Sequence, residues 1–291
     1  MQQILNNKQL DLMLSDEGYI VVPFLEVDDV KTLSDFFYEN HPTEIPGFYA
    51  TAHSSDIQFR NKMNNKIKDV FANSINQFFN NCSALGGSYV VKSKLQEERL
   101  HPHQDWSIVD ETKFRSFNIW VPLVNLNENN GSIRVIPRSH LWVDNYRGPN
   151  ISDYFSKSND KIWEHMQTLN MKAGEALIYD HRLFHASFPN KTDQLRVATV
   201  FGIIPNEAQM FYYFGDKEAV DVYESSVEFF MEGNIQKGPE ILKKVKRVSE
   251  PLVKVKKLPS FIENISVNND KTQAKKFDYN FISWVKKYLN N

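Results

Sequence analysis

The sequence predicts an α+β fold with a mainly β core, in which helices come first and many short, antiparallel-looking strands then close into a sandwich or barrel. Two segments before residue 83 place apolar side chains at helical spacing. From 86 to 205 short alternating or β-branched runs replace that period, and Gly, Pro and Asn clusters punctuate them.

The elements follow in order. Residues 8–25 run from a helical pattern through Asp16-Glu17-Gly18 into Tyr19-Ile20-Val21-Val22-Pro23, a turn into a strand. Residues 26–41 put Val27, Val30, Leu33, Phe36 and Phe37 on a helical stripe, with Asp28 near its start. Residues 42–61 are turn-rich and read as a long loop. Residues 62–82 set Ile67, Val70, Phe71, Ile75, Phe78 and Phe79 on one helical face. Ser88–Leu95 and Phe117–Leu123 read as strands. Asn129-Asn130-Gly131-Ser132 reads as a hairpin turn between Leu123-Val124 and Ile133–Ile136. Residues 141–170 form a polar, aromatic-studded excursion. Ala173-Gly174-Glu175-Ala176 turns into Leu177-Ile178-Tyr179, and Leu195–Pro205 is a further strand. Beyond it, residues 237–257 hold eight Lys or Arg against two Glu. Residues 264–276 read as a polar, mobile linker, and 277–289 as an amphipathic terminal helix. The expected division is a domain at 1–210 and an extension at 211–291.

The bulk numbers bound the class of protein. A formal charge of −2 over 291 residues gives no reason to expect a nucleic acid or a membrane surface as partner. Cys82 is the single cysteine, so no internal disulfide forms and a reducing, cytoplasmic setting is expected. No signal-peptide pattern opens the chain and no run approaches the ~18 apolar residues of a membrane span.

Three pieces carry chemistry: His103-Gln104-Asp105, His185-Ala186-Ser187, and Arg196. In a strand, positions i and i+2 face one side, so His103 and Asp105 can hold one metal together. Imidazole and carboxylate suit Fe(II) better than a thiolate-seeking metal. His185 falls where the sheet would return beside the first strand, which supplies a third facial ligand and leaves the other positions open. His101 shares the parity of His103 and competes with it. Ser187 shares the inward face of His185. Asn190 to Gln194 reads as a turn, after which Arg196 enters the returning strand. Arg196 offers a guanidinium fork to a dicarboxylate co-substrate, with Ser187 adding a hydroxyl. The bland alternative for Arg196 is a surface ion pair.

These residues, and the segments around them, resemble the phytanoyl-CoA dioxygenase-like family of Fe(II)/2-oxoglutarate oxygenases over roughly residues 8–205. DEGYIVVPFLEVDDVKTL resembles the family's opening segment, HPHQDW its proximal ligand motif, NNGSIRVIPRSHLW its Asn-Gly and Ser-His stretch, and AGEALIYDHRLFHAS its distal ligand motif. The resemblance implies a double-stranded β-helix, a jelly roll of cupin type, with flanking N-terminal helices. It implies iron ligands His103, Asp105 and His185, and 2-oxoglutarate partners Arg196 and Ser187. A polar residue on the strand before the proximal ligands often helps hold 2-oxoglutarate. Gln96 is the first choice, and Lys94 or Lys92, of the same parity, could replace or join it. Asn118 and Trp120 share a strand face and would line the same cavity. Arg138 stands where the family usually has Gly, at a turn. Asp105 is retained where related halogenases carry a small residue, which favours hydroxylation or desaturation.

The implied cofactors are Fe(II), 2-oxoglutarate and O₂, with succinate and CO₂ as co-products of hydroxylating an unactivated C–H. The expected partner is a small-molecule substrate, acyl or carrier-tethered ones included. Two rivals stand beside this reading: a metal-dependent cupin-like enzyme that does not use 2-oxoglutarate, and a non-catalytic binding protein on the same scaffold. Substrate contacts are expected in the 42–61 loop, with Phe48, Tyr49 and His53, and in the excursion, with Trp142, Tyr146, Tyr154 and Trp163.

Overall fold

The computed structural model describes residues 3–42, 44–45, 47–215, 219–231, 239–249 and 252–262. In chain order its elements are α1 (Lys8–Glu17), β1 (Tyr19–Pro23), α2 (Val27–Asn40), β2 (Phe48–Ala50), α3 (Ile57–Phe78), β3 (Cys82–Lys92), β4 (Leu100–His103), β5 (Phe117–Pro122), β6 (Ile133–Val135) and β7 (Val143–Asn145). They continue as α4 (Asn159–Glu164), β8 (Gln167–Leu169), β9 (Glu175–Asp180), β10 (His185–Ser187), β11 (Arg196–Pro205), β12 (Phe211–Gly215), β13 (Ala219–Glu224), α5 (Val227–Met231), β14 (Lys244–Ser249) and β15 (Val253–Val255).

Two sheets make the jelly roll. The larger has strand order β1-β9-β5-β11-β3-β2, and the smaller β4-β10-β6-β8. The helices cover the outer face of the larger sheet. Leu14 of α1, Leu33 and Phe37 of α2, and Met63, Ile67 and Phe71 of α3 are buried with Val91, Ile119 and Ile178 of the strands. The barrel interior is a second apolar cluster that includes Ala50, Val90, Trp120, Ile133, Val135, Leu177, Tyr179 and Ala198. This is the double-stranded β-helix that the family resemblance implied.

Helix ends follow the local chemistry. Asn7 and Asp56 cap α1 and α3 by accepting two backbone N–H bonds each. The Asp56 cap starts α3 at residue 57, inside the stretch read as loop, and Phe48–Ala50 forms an edge strand there too. β3 begins six residues before the expected Ser88, because Gly86 and Gly87 erase the side-chain alternation that marks a strand. A Cβ on Gly87 would sit 2.8 Å from Ile67 Cγ2, so glycine here lets α3 pack on the sheet.

The Asn129–Ser132 turn does not make the expected hairpin. β5 lies in the larger sheet and β6 in the smaller, so the turn carries the chain between sheets. Asn130 Oδ1 accepts from Asn127 N at 2.8 Å, and the backbone closes by Ser132 N to Asn127 O at 3.1 Å. Arg138 adopts φ +67°, the left-handed geometry that explains the family's glycine, and its guanidinium meets Asp16 of α1 at 2.6 Å.

The excursion and the described part of the C-terminal extension pack together. β15 pairs with β7, and Ile262, Trp142, Phe155 and Ile162 share a core with Phe184 and Ala186 on the outer face of the smaller sheet. Trp142 is therefore core, and Trp163 packs edge-on against Phe188. β14, from the basic segment, is the edge of a three-stranded sheet with β12 and β13. The expected linker at 264–276 and helix at 277–289 lie outside the described residues.

Candidate metal centre and co-substrate site

His103 ends β4 and His185 begins β10, and the two are register partners. Their rings stand 4.2 Å apart. A β-bulge separates this pair from the next, Ser187 with Leu100. The bulge breaks the parity that made His101 a competitor: His101 is exposed, and its carbonyl takes the Nδ1 hydrogen bond of His103 at 2.8 Å. His185 Nδ1 likewise meets Leu183 O at 3.1 Å. Both rings thus spend Nδ1–H on backbone and leave Nε2 as the free lone pair.

Asp105 is not on the strand, as parity had required. It lies in the loop after β4, where its N–H donates to His181 O at 2.8 Å and its carbonyl accepts Arg147 Nε at 2.6 Å. Its Oδ1 comes within 3.7 Å of His185 Nε2. One ligand atom from each of His103, Asp105 and His185 lies within 4.8 Å of the others. Burial alone would raise the Asp105 carboxyl, but His185, His181 and His103 with the Asn118 hydrogen bond hold it at about 2. Burial, then the neighbouring His185, lowers His103 to about 4. Neutral imidazole and ionised carboxylate are the forms a divalent metal needs, and two nitrogens with one oxygen fit Fe(II).

In the larger sheet, Arg196 of β11 pairs with Lys92 of β3. Arg196 is buried, its Nε and Nη1 have no hydrogen-bond partner, and its Cζ lies 5.4 Å from the Trp120 ring centroid. Burial pushes its guanidinium down to about 9, still protonated at neutral pH. Lys92 is fully buried and donates to the carbonyls of Ser187 and Phe188. Burial and the nearby Arg196 press the Lys92 ammonium well below its usual value. Ser187 Oγ is buried and unpartnered as well. Gly131 closes this corner: a Cβ there would lie 3.2 Å from Lys92 Cδ and 3.5 Å from Arg196 Nε. Two cations and a hydroxyl around a space that glycine keeps open form a receptor for a carboxylate.

Of the strand residues expected near Arg196, Lys92 is the one beside it. β3 ends at Lys92, so parity stops there; Lys94 is exposed and lines a surface pocket with Tyr38 and His41. Gln96 is half-buried behind Asn190, whose carbonyl takes its N–H at 2.7 Å, and its Oε1 is unpartnered. Asn118 donates to Asp105 Oδ2 at 2.8 Å.

Three further residues neighbour the site; His181, four residues before His185, is one the sequence offers as a supporting residue, while Tyr179 and Arg147 carry no such signal. Tyr179 packs its ring 4.8 Å from that of His185. His181 is buried beside Asp105 with both ring nitrogens unpartnered. Arg147 ties the excursion to the Asp105 loop and forms a fork with Glu111, at 2.9 and 2.5 Å. His140 is buried on Ser15 O, and Asp180 is held by Arg115 and Arg182.

A curated relative, the dioxygenase trt7 of Aspergillus terreus (strain NIH 2624 / FGSC A1156), is 31% identical over 110 residues, 35% of this chain and 34% of its own length. The match thus spans about a third of that relative. Among solved structures, the non-haem α-ketoglutarate-dependent carbocyclase SnoK from nogalamycin biosynthesis superposes with a TM-score of 0.51 at 16% identity, covering 70% of this chain and 86% of that one. The non-haem α-ketoglutarate-dependent epimerase SnoN from the same biosynthesis gives 0.51 at 18%, covering 70% and 84%. Both show the shared fold. Among the described residues no helix is long and apolar enough to cross a membrane. The profile of the phytanoyl-CoA dioxygenase family, whose cofactors are Fe(II), 2-oxoglutarate and O₂, matches residues 16–198, more than half of the chain and the span that holds the triad and Arg196. On that match the chain is a member of the phytanoyl-CoA dioxygenase family.

Proposed function

We propose that this family member is an Fe(II)/2-oxoglutarate-dependent oxygenase that hydroxylates an unactivated C–H of a small-molecule or carrier-bound metabolite. The observation that carries the reading is the pairing of a His103–Asp105–His185 cluster with a buried Lys92–Arg196 corner that has no carboxylate of its own among the described residues. Bound Fe(II) would supply the redox chemistry that couples O₂-driven decarboxylation of 2-oxoglutarate to substrate oxidation, so that R–H, O₂ and 2-oxoglutarate give R–OH, succinate and CO₂.

The chain's own residues bind and orient. His103 and His185 present Nε2, and Asp105 presents Oδ1. Arg196 and Lys92 hold the distal carboxylate of 2-oxoglutarate, with the Ser187 hydroxyl donating to it. Trp120 covers the guanidinium and keeps water from it. Because the cationic corner is already desolvated, the anion meets preset charges at low local dielectric. Phe48, among the expected loop aromatics, packs against the barrel cluster from the edge strand β2. Asp105 keeps the carboxylate ligand in place, which favours hydroxylation over halogenation.

The test has two parts. Anaerobic titration of the metal-free protein with Fe(II) and 2-oxoglutarate should give a saturable visible charge-transfer band; no band from folded protein would favour a cupin-like enzyme or a binding protein. Turnover under ¹⁸O₂ should then place one label in succinate and one in the product. Label in succinate alone would point to desaturation, cyclisation or epimerisation.

A further inference from the structure

We propose that Asn118 and Tyr179 are positioning residues that hold the far oxygen of Asp105, so that this carboxylate meets the metal through Oδ1 alone. The inference rests on the iron reading above. Asn118 and Tyr179 are register partners on β5 and β9, so they project together from the larger sheet toward a ligand set borne by β4, β10 and the loop after β4. Asp105 needs such a hold: it sits in that loop, past the last strand residue, and nothing in strand geometry sets its rotamer.

The contacts divide the carboxylate. Oδ1 faces His185 Nε2 at 3.7 Å, on the side where the ligand atoms converge. Oδ2 faces away and accepts Asn118 Nδ2 at 2.8 Å. The same amide nitrogen lies 3.4 Å from the Tyr179 hydroxyl, so one carboxamide reaches both groups. Tyr179 in turn lays its ring 4.8 Å from His185. The pair therefore touches two of the three ligands. Tyr179 also forms a side-chain hydrogen bond with Asp105. A carboxylate whose second oxygen is engaged in this way is held to one metal bond, which leaves coordination positions for 2-oxoglutarate and O₂.

Isosteric variants separate this role from packing and from cofactor binding. Asn118→Leu removes the donor and keeps the volume; Tyr179→Phe removes the hydroxyl and keeps the ring on His185. Fe(II) affinity is measured anaerobically without 2-oxoglutarate, by competition with a chromophoric chelator. The affinity for 2-oxoglutarate is then read from the charge-transfer band at saturating Fe(II). The expected result is Fe(II) binding weakened about tenfold or more for Asn118→Leu and several-fold for Tyr179→Phe. Binding of 2-oxoglutarate should stay near wild type, with unchanged near-ultraviolet circular dichroism of the metal-free protein. Wild-type Fe(II) affinity in both variants overturns the proposal. So does a loss confined to 2-oxoglutarate, which would return Asn118 to the co-substrate. If Asn118→Leu does not fold, Tyr179→Phe alone decides. Wild-type protein that takes up no Fe(II) would instead overturn the underlying reading.

Discussion

Lys92 and Arg196 face each other across the β3–β11 ladder, two buried basic side chains in direct register. Cross-strand like charges repel, and neither residue forms an ion pair among the described residues. A fold tolerates such a pair when a ligand completes it.

Arg196→Ala should therefore weaken 2-oxoglutarate binding about 100-fold, the loss of a charge-assisted fork worth about 3 kcal/mol. Fe(II) affinity should persist, since Arg196 is not a ligand. Anaerobic titration of the charge-transfer band reads both quantities, and unchanged 2-oxoglutarate dependence would contradict the role.

Lys92→Met tests the same corner from the stability side. Replacing a buried ammonium by an apolar chain of like length should stabilise the metal-free protein by about 1 kcal/mol or more. It should also weaken 2-oxoglutarate. A higher melting temperature with poorer co-substrate binding is the expected signature; a lower melting temperature would assign Lys92 to the fold.

His103→Ala and Asp105→Ala should each abolish Fe(II) uptake and succinate formation. Metal analysis after anaerobic loading and desalting checks this. Iron-dependent turnover surviving in both variants would refute the triad.

The metal-free protein should lose stability as pH falls from about 6.5 to about 4. His103 and His140 are both lowered to about 4, by burial first. Between those limits the unfolded chain binds protons that the folded chain refuses, so stability is full above 6.5 and drains away through the folded values. Melting temperatures across pH 4–8 measure it, and Fe(II) should flatten the curve by holding His103 neutral.

Breaking the buried Arg147–Glu111 fork should cost more than a surface pair would. Arg147→Ala strands Glu111 and frees the Asp105 carbonyl, for an expected loss of about 3–5 kcal/mol by denaturant melts. A loss under about 1 kcal/mol would show the excursion to be independent of the metal loop.

Much of this was legible in the sequence because it is local chemistry. H-x-D, the distal His and an Arg in the next strand are residue types at set spacings, and the helical stripes of α2 and α3 need only a period of 3.6. Parity arguments failed where the backbone departs from regular pleating. The bulge in β4 turned His101 outward, the end of β3 at Lys92 removed Lys94 from the barrel, and the loop after β4 took Asp105 off the strand.

By itself, then, the sequence determined the chemistry available: which donors could bind a metal, which cation could bind a dicarboxylate, and a β-rich core to carry them. Tertiary structure alone decided which of those groups meet. Asn118 reaches Asp105 because β5 pairs with β9 and faces the loop after β4, and Gly131 lies beside Arg196 because its turn passes from one sheet to the other. Side-chain type and period are properties of neighbouring residues. Strand pairing, bulges and sheet crossings are set by contacts between residues far apart in the chain, and no local pattern encodes them.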